Sequence, residues 1–343
     1  MSTSPLLDRL RAHAAAIGTE PTPAAASCSG EPHPAAAPAL QLGFWQSPVA
    51  RAAINRRITG DPELAAETYF ARRHGPSIVS PHAVSLRASD AKLEIALVEA
   101  GACERLTGLD EEQARIDFAA ARVPEPLRDR ITFRLGTLER WDPPEPLGAA
   151  VLRSFLHRRA DLEQVLDRLA AMLVPGGLLF VEDFVGPAGF QWSDAQLDAI
   201  NRLLARLPRQ LLRDLSSDDG RVKLKVERPH RAAATGATGA TGPTAAAAAQ
   251  SGPAPRSDEI VPLLDASFER VELCPYGGAV FHQLFGRIMG NFADRPDLVG
   301  VLMEVDALLT DAGAVASDYM WGVWRRGHGT PRRSRWWSAG ARR

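Results

Sequence analysis

Two side chains have a type and a placement suited to chemistry, the carboxylate of Asp110 and the imidazole of His157. Asp110 closes the short apolar run 105–109 and precedes a helical stretch with acids in its first turn. A carboxylate at a strand's end in an α/β chain faces the crevice outside the sheet's carboxyl edge, where it can accept from both hydroxyls of a ribose. Its competing role is to cap the helix from Glu111 onward. His157 lies in the segment Arg153-Ser154-Phe155-Leu156-His157-Arg158-Arg159. An imidazole titrates near neutrality and can act as a general base; it can equally sit at the surface and cap the next helix. Glu182 and Asp183 are adjacent acids on a strand, and successive residues of an extended chain point to opposite sides. They therefore do not form one paired site, although either suits a cationic ligand or a metal. Tyr276 and His282 are candidates for a substrate wall, against a plain turn at Gly277-Gly278. Trp192 suits a lid or an anchor for the helix after it. Cys28, Cys103 and Cys274 show neither CxxC pairing nor metal spacing, so no metal site is expected. Cys103 and Cys274 read as small buried hydrophobes.

The elements that must position these groups alternate. Strands are expected at 78–86, 105–109, 131–135, 149–155, 178–182, 268–273 and 319–324. Helices are expected at 47–57 (capped by Ser47, with Pro48 at its first position), 62–73 (capped by Asp61), 93–99, 111–121, 161–173 and 193–205, with a broken helix over 284–309. In 161–173, Leu162, Val165, Leu166, Leu169 and Leu173 share one face. Alternating strands and helices predict a mostly parallel sheet with helices on both faces. Residues 1–40 read as a flexible Ala/Pro-rich leader, and about 230–256 as a low-complexity insertion into one domain, 41–326, whose N-terminal part (44–75) is helical. Residues 327–343 read as a basic, disordered tail carrying Trp336-Trp337. The formal net charge of −1 excludes a nucleic-acid binder that works through a global basic field. No run of about 18 apolar residues occurs, so no membrane span is expected. The cysteine usage suits a reducing cytoplasm.

Four segments carry a resemblance to the class I S-adenosylmethionine (SAM) dependent methyltransferases. They are Val84-Ser85-Leu86-Arg87-Ala88-Ser89-Asp90-Ala91, Leu106-Thr107-Gly108-Leu109-Asp110, Phe133-Arg134-Leu135-Gly136-Thr137-Leu138-Glu139 and Leu173-Val174-Pro175-Gly176-Gly177-Leu178-Leu179-Phe180. The resemblance implies a Rossmann-like, seven-stranded, mostly parallel sheet with helical additions, SAM as cofactor, and methyl transfer to a small-molecule acceptor. It further implies that Asp110 holds the ribose and that Ser85, Arg87, Ser89, Asp90 and Ala91 line the cofactor loop, with Thr137 and Leu138 at the adenine and His157 on the substrate side. Leu138 suits core packing equally well.

The loop departs from the family's pattern. Arg87, Ser89 and Ala91 stand at its three glycine positions, and Ser85 stands where it has an acid. SAM carries a sulfonium and an ammonium, so a guanidinium about 4 Å away would cost on the order of 1 to 4 kcal/mol. Asp90 can partly replace the missing acid, and Arg87 can instead swing outward or meet the cofactor's carboxylate. These departures imply the alternative, a catalytically impaired relative that serves as a binding or scaffolding module. A nicotinamide enzyme would need a Gly-x-Gly-x-x-Gly turn after the first strand, and none is present.

Overall fold

Seven strands form: His82–Leu86 (β1), Arg105–Asp110 (β2), Ile131–Leu135 (β3), Leu147–Arg153 (β4), Leu173–Phe184 (β5), Glu269–Gly277 (β6) and Tyr319–Arg325 (β7). The structure is a computed structural model and describes residues 47–87, 90–216, 219–229 and 254–328. The strands make one sheet in the order β3-β2-β1-β4-β5-β7-β6. Neighbours from β3 through β5 are parallel, and β7 runs antiparallel to both β5 and β6. The expected α/β class and seven-stranded, mostly parallel sheet are therefore present. The leader and almost all of the insertion and the tail lie outside the described residues, as do Cys28, Ser89 and Trp336-Trp337.

The helices are Pro48–Thr59 (α1), Ala66–His74 (α2), Lys92–Glu99 (α3), Gln113–Ala120 (α4), Leu162–Met172 (α5), Asp194–Leu204 (α6), Ile260–Ser267 (α7), Phe281–Phe285 (α8) and Pro296–Asp311 (α9). Inward-facing residues alternate along each buried strand and split the core in two. Ala83, Val151, Leu178, Phe180, Trp321 and Val323 meet α1 to α4, α6, α8 and α9 on one face. Val84, Leu152, Leu179, Val181 and Trp324 meet α5 and α7 on the other.

Three expectations change. Asp61 does not cap a helix at 62: its Oδ1 accepts from Glu63 N at 2.9 Å in a local turn, and α2 begins only at Ala66. Pro175-Gly176-Gly177 does not separate α5 from its strand. The strand starts at Leu173, which pairs with Leu147, and Gly176 N donates to Arg326 O at 2.8 Å, so the turn is held inside the sheet. The first strand begins at His82 rather than at 78. The cap expected at Ser47 is present. Ser47 accepts from Ala50 N at 3.3 Å, and Ser193 and Gln196 form a reciprocal capping box on α6. Among the described residues no helix is long and apolar enough to cross a membrane.

Asp318 ties α6 to the mouth of β7. It is fully buried, its Oδ1 accepts from Gln196 Nε2 at 3.1 Å, and its Oδ2 has no partner among the described residues. Burial, with a smaller push from Asp306, raises this carboxyl from 3.8 to about 7 against the pull of Gln196. The folded state thus holds the proton more tightly than the unfolded chain, so this contribution is full below about pH 4 and is lost as pH rises through about 7. Asp318→Asn should flatten the decline of stability between pH 4.5 and 8 by about 2 to 4 kcal/mol. Parallel denaturation curves for the two proteins across that range check it, and equal slopes would refute it.

Candidate functional site

The parallel strands β1 to β5 bring the ends Leu86, Asp110, Leu135, Arg153 and Phe184 to one edge of the sheet. Strand order reverses between β1 and β4, and that switch point is where an open α/β sheet forms its binding crevice.

Asp110 reaches this edge and is buried. Its carboxylate accepts three N–H bonds. Arg115 Nε donates to Oδ2 and Arg115 Nη2 to Oδ1, each at 2.8 Å, and Glu112 N donates to Oδ1 at 2.8 Å. Arg115 lies in the first turn of α4, which folds back over the strand end, and its Nη1 also meets Glu112 at 2.6 Å. The hydrogen bonds that the guanidinium donates to Asp110 and Glu112 raise its pKa against its partial burial. Asp110 is not the cap of α4, since that position falls to Glu112.

The loop after β1 keeps a glycine-like backbone without the glycines. Arg87 has φ 67° and Ala91 φ 59°, both in the left-handed region that costs an L-residue about 1 to 2 kcal/mol. Arg87 turns across the switch point, and its Nη1 donates to Ser154 O at the end of β4 at 3.0 Å. Asp90 turns the other way, to Arg153 Nη1 at 3.1 Å and Lys92 Nζ at 3.1 Å. Burial raises the Asp90 carboxyl's pKa, but Arg153 and Lys92 outweigh it and hold the group below its ordinary value.

Arg153 is the hub of the crevice floor. It binds Glu182 at 2.6 Å, Asp90 at 3.1 Å and Glu67 of α2 at 3.3 Å, with its guanidinium 5.6 Å from the Trp321 ring centre. Tyr276 OH donates to Glu182 at 3.4 Å. Nearby, Ser85 Oγ donates to the wholly buried Glu94 at 2.5 Å, so an acid does stand beside the position where β1 lacks one. Burial raises the carboxyls of both Glu94 and Glu182, against the pull of Ser85 and Arg153 on Glu94 and of Arg153 on Glu182.

Glu182 and Asp183 do point to opposite sides. Asp183 accepts from Phe155 N at 3.0 Å, Leu156 N at 2.7 Å and Phe184 N at 2.8 Å, and it meets His157 Nδ1 at 2.5 Å. His157 thus has one nitrogen fixed by a buried carboxylate. Sequence reasoning weighed both residues but not their union; the signal was the pairing of β4 with β5, which brings residues after 153 beside 183. His282, packed against Phe184 and Tyr319 at centroid distances of 5.9 and 5.1 Å, is pushed down to about 4 by burial, Lys223 and His157. A neutral, buried ring suits a wall better than a base. Trp192 anchors: it is buried and stacks on Phe190 at 5.5 Å. Leu138 is buried in the face packed by α5 and α7, and Thr137 is half-buried beside it. Cys103 is buried with its thiol raised to about 12 by burial; Cys274 is half-buried. Among the described residues no three His, Cys, Asp or Glu side chains are grouped to hold a metal ion. A depression of about 300 Å3 near Arg72, Pro76 and Glu99 lies at the far end of α3, away from the crevice.

No protein-family model matches the sequence, and no curated protein matches it. Solved structures do. The [4+2]-cyclase SpnF is 14 % identical, with 85 % of this chain and 88 % of that one covered and a TM-score of 0.43. Geranyl diphosphate methyltransferase in complex with SAM is 13 % identical over 80 % and 90 %, at 0.42. A putative sarcosine dimethylglycine methyltransferase from Galdieria sulphuraria is 11 % identical over 76 % and 85 %, at 0.43. At these values the likeness concerns the arrangement of the chain and does not extend to its chemistry. The protein has a class I methyltransferase-like fold, as its own strand order and single antiparallel insertion display.

SAM does not fit the residues present. The carboxylate that would accept the ribose hydroxyls already accepts three N–H bonds, and Arg87 brings a positive charge to a crevice that would receive a sulfonium and an ammonium.

Proposed function

We propose that the protein is a binding module on a methyltransferase fold, with the crevice closed to SAM by its own arginines. The bidentate capture of Asp110 by Arg115 carries this reading. Displacing it would strip a buried carboxylate of charge-assisted bonds worth about 1.5 to 3 kcal/mol each, in exchange for neutral hydroxyl donors. Wild-type protein is expected to show no binding to SAM or S-adenosylhomocysteine at millimolar concentration in a calorimeter. Arg87→Gly with Arg115→Ala should bring S-adenosylhomocysteine binding into the measurable range, because Asp110 is then free and residue 87 loses its charge. Micromolar SAM binding to wild type that Asp110→Ala abolishes would overturn the proposal.

One observation favours the other reading, SAM-dependent methylation of a small molecule. His157 has its Nδ1 fixed by Asp183, which leaves Nε2 as the proton-accepting atom of an oriented base. Micromolar SAM binding in the same titration would favour it.

A further inference from the structure

The carboxyl of Asp318 is wholly enclosed and poorly served. Its Oδ1 has one N–H bond, from Gln196 Nε2 at 3.1 Å, its Oδ2 has none, and no cation among the described residues pairs with either oxygen. Its backbone ties the ends of β5 and β6 to the start of β7: Val185 N and Gly186 N donate to Asp318 O at 2.7 and 3.2 Å, and Asp318 N donates to Gly277 O at 3.0 Å. Gly186 packs so closely that a methyl there would stand 2.6 Å from Oδ1, so water reaches this carboxyl only if the chain moves. The surrounding groups offer no positive charge. Asp306 of α9, bound by the N–H groups of Gly278, Val280 and Phe281, adds a negative one. Tyr319 of β7 is a phenol whose pKa is raised by burial and then by Asp318. On β5, Glu182 and Asp183 meet Arg153 and His157, on α6 Asp194 meets Arg228, and ahead of α7 Ser257 Oγ donates to Gly186 O at 2.7 Å. Ionised in place, Asp318 would lack both a partner charge and solvent.

The start of α6 is the part able to move. Gln196 serves two sites at once: its Nε2 bonds Asp318, and its Oε1 accepts from Ser193 N at 2.9 Å in the box that caps the helix. Trp192, just before the cap, is buried with Nε1 unpartnered. It stacks on Phe190 of the turn Ala188–Phe190, and Phe190 meets Phe184 and His282 at centroid distances of 5.1 and 6.4 Å. Opening here would give water to both orphaned atoms, Asp318 Oδ2 and Trp192 Nε1.

We propose that Asp318 is a proton-operated latch: protonated, it keeps the start of α6 and the turn before it closed over Phe184 and His282, and ionised, it releases them. The sign follows from linkage. The closed form holds the proton up to about 7, against 3.8 for a free carboxyl. Opening is therefore favoured as pH rises between those values, about tenfold per pH unit, and gains nothing further above the upper one.

Native-state hydrogen exchange of the full chain, corrected for the intrinsic rate, tests the latch. Leu197 N donates to Ser193 O in the first turn of α6 and reports the opening. Its protection should fall roughly tenfold per pH unit from pH 5 to 7 and level off by pH 8. Val151 of β4, in the middle of the sheet, should stay better protected by about tenfold or more throughout. Asp318→Asn keeps an acceptor for Gln196 and cannot ionise, so it should hold Leu197 level across the range. A wild-type Leu197 profile without slope overturns the proposal, as does a slope that survives in Asp318→Asn. Equal protection of Leu197 and Val151 at every pH also overturns it, because Asp318 would then ionise only when the whole molecule unfolds. The wild-type profiles decide the matter even if the variant fails to fold.

Discussion

Asp183→Ala should destabilise the protein by about 3 to 5 kcal/mol, the range for removing one partner of a buried charged network. Asp183 is buried and carries four contacts: three backbone N–H groups and the His157 ring. Two of those N–H groups belong to Phe155 and Leu156, which no strand serves. Their loss leaves the turn after β4 without an anchor, a deficit comparable to several unmade hydrogen bonds of about 1 to 3 kcal/mol each. His157→Ala should cost far less, about 1 kcal/mol, because Asp183 keeps its three backbone donors. Urea denaturation of both variants measures the difference. An Asp183→Ala loss no greater than that of His157→Ala would mean the imidazole, not the turn, is what the carboxylate serves.

Arg153→Met is the second large effect, also about 3 to 5 kcal/mol near neutral pH. The methionine fills the stem's volume against Trp321 but leaves Glu182 and Glu67 without their cation and Asp90 with Lys92 alone. The loss should depend on pH in a defined direction. Glu182 already has a raised carboxyl through burial, and without Arg153 it rises further. A carboxyl raised on folding contributes stability that is full below its unfolded value and lost as pH rises through the folded one. The variant should therefore come closest to wild type at mildly acidic pH and fall away toward pH 8. A deficit constant from pH 5 to 8 would show that lost packing, not stranded charge, is responsible.

The sheet was legible in the sequence because its signal is local. Ile131–Leu135 and Tyr319 onward are short apolar runs between turn signals, and α5 shows four leucine or valine positions on one face. Boundaries failed where a non-local partner decides them. Leu173 extends β5 because Leu147 is there to pair with it, and nothing near 173 says so. Asp61 reads as a cap but spends its side chain two residues on.

The site was legible in part for the same reason. The positions of Asp110 and His157 follow from strand ends, and the opposed sides of Glu182 and Asp183 follow from strand period alone. What fills those positions does not. Arg115 lies five residues beyond Asp110, within one turn of a helix, and only the fold-back of α4 turns it onto the carboxylate. Arg87 was recognisable as a charge in the wrong place, while its target, a backbone carbonyl 67 residues away, was not.

The placement of β7 bears on how the chain is made. It lies between β5 and β6, so β6 has no partner until β7 arrives, and β5 keeps an open edge for just as long. On a ribosome, everything from His82 to Phe184 can emerge and form five parallel strands while the sheet still offers Leu178 to Phe184 as an unpaired rim. About 135 residues separate Phe184 from Tyr319, and at 5 to 20 residues per second that rim stays bare for roughly 7 to 27 seconds. An unpaired strand edge is a template for pairing with another chain. Synthesis speed across this stretch, and any chaperone that covers the rim meanwhile, should then govern the yield of folded protein more than the stability of the finished sheet does.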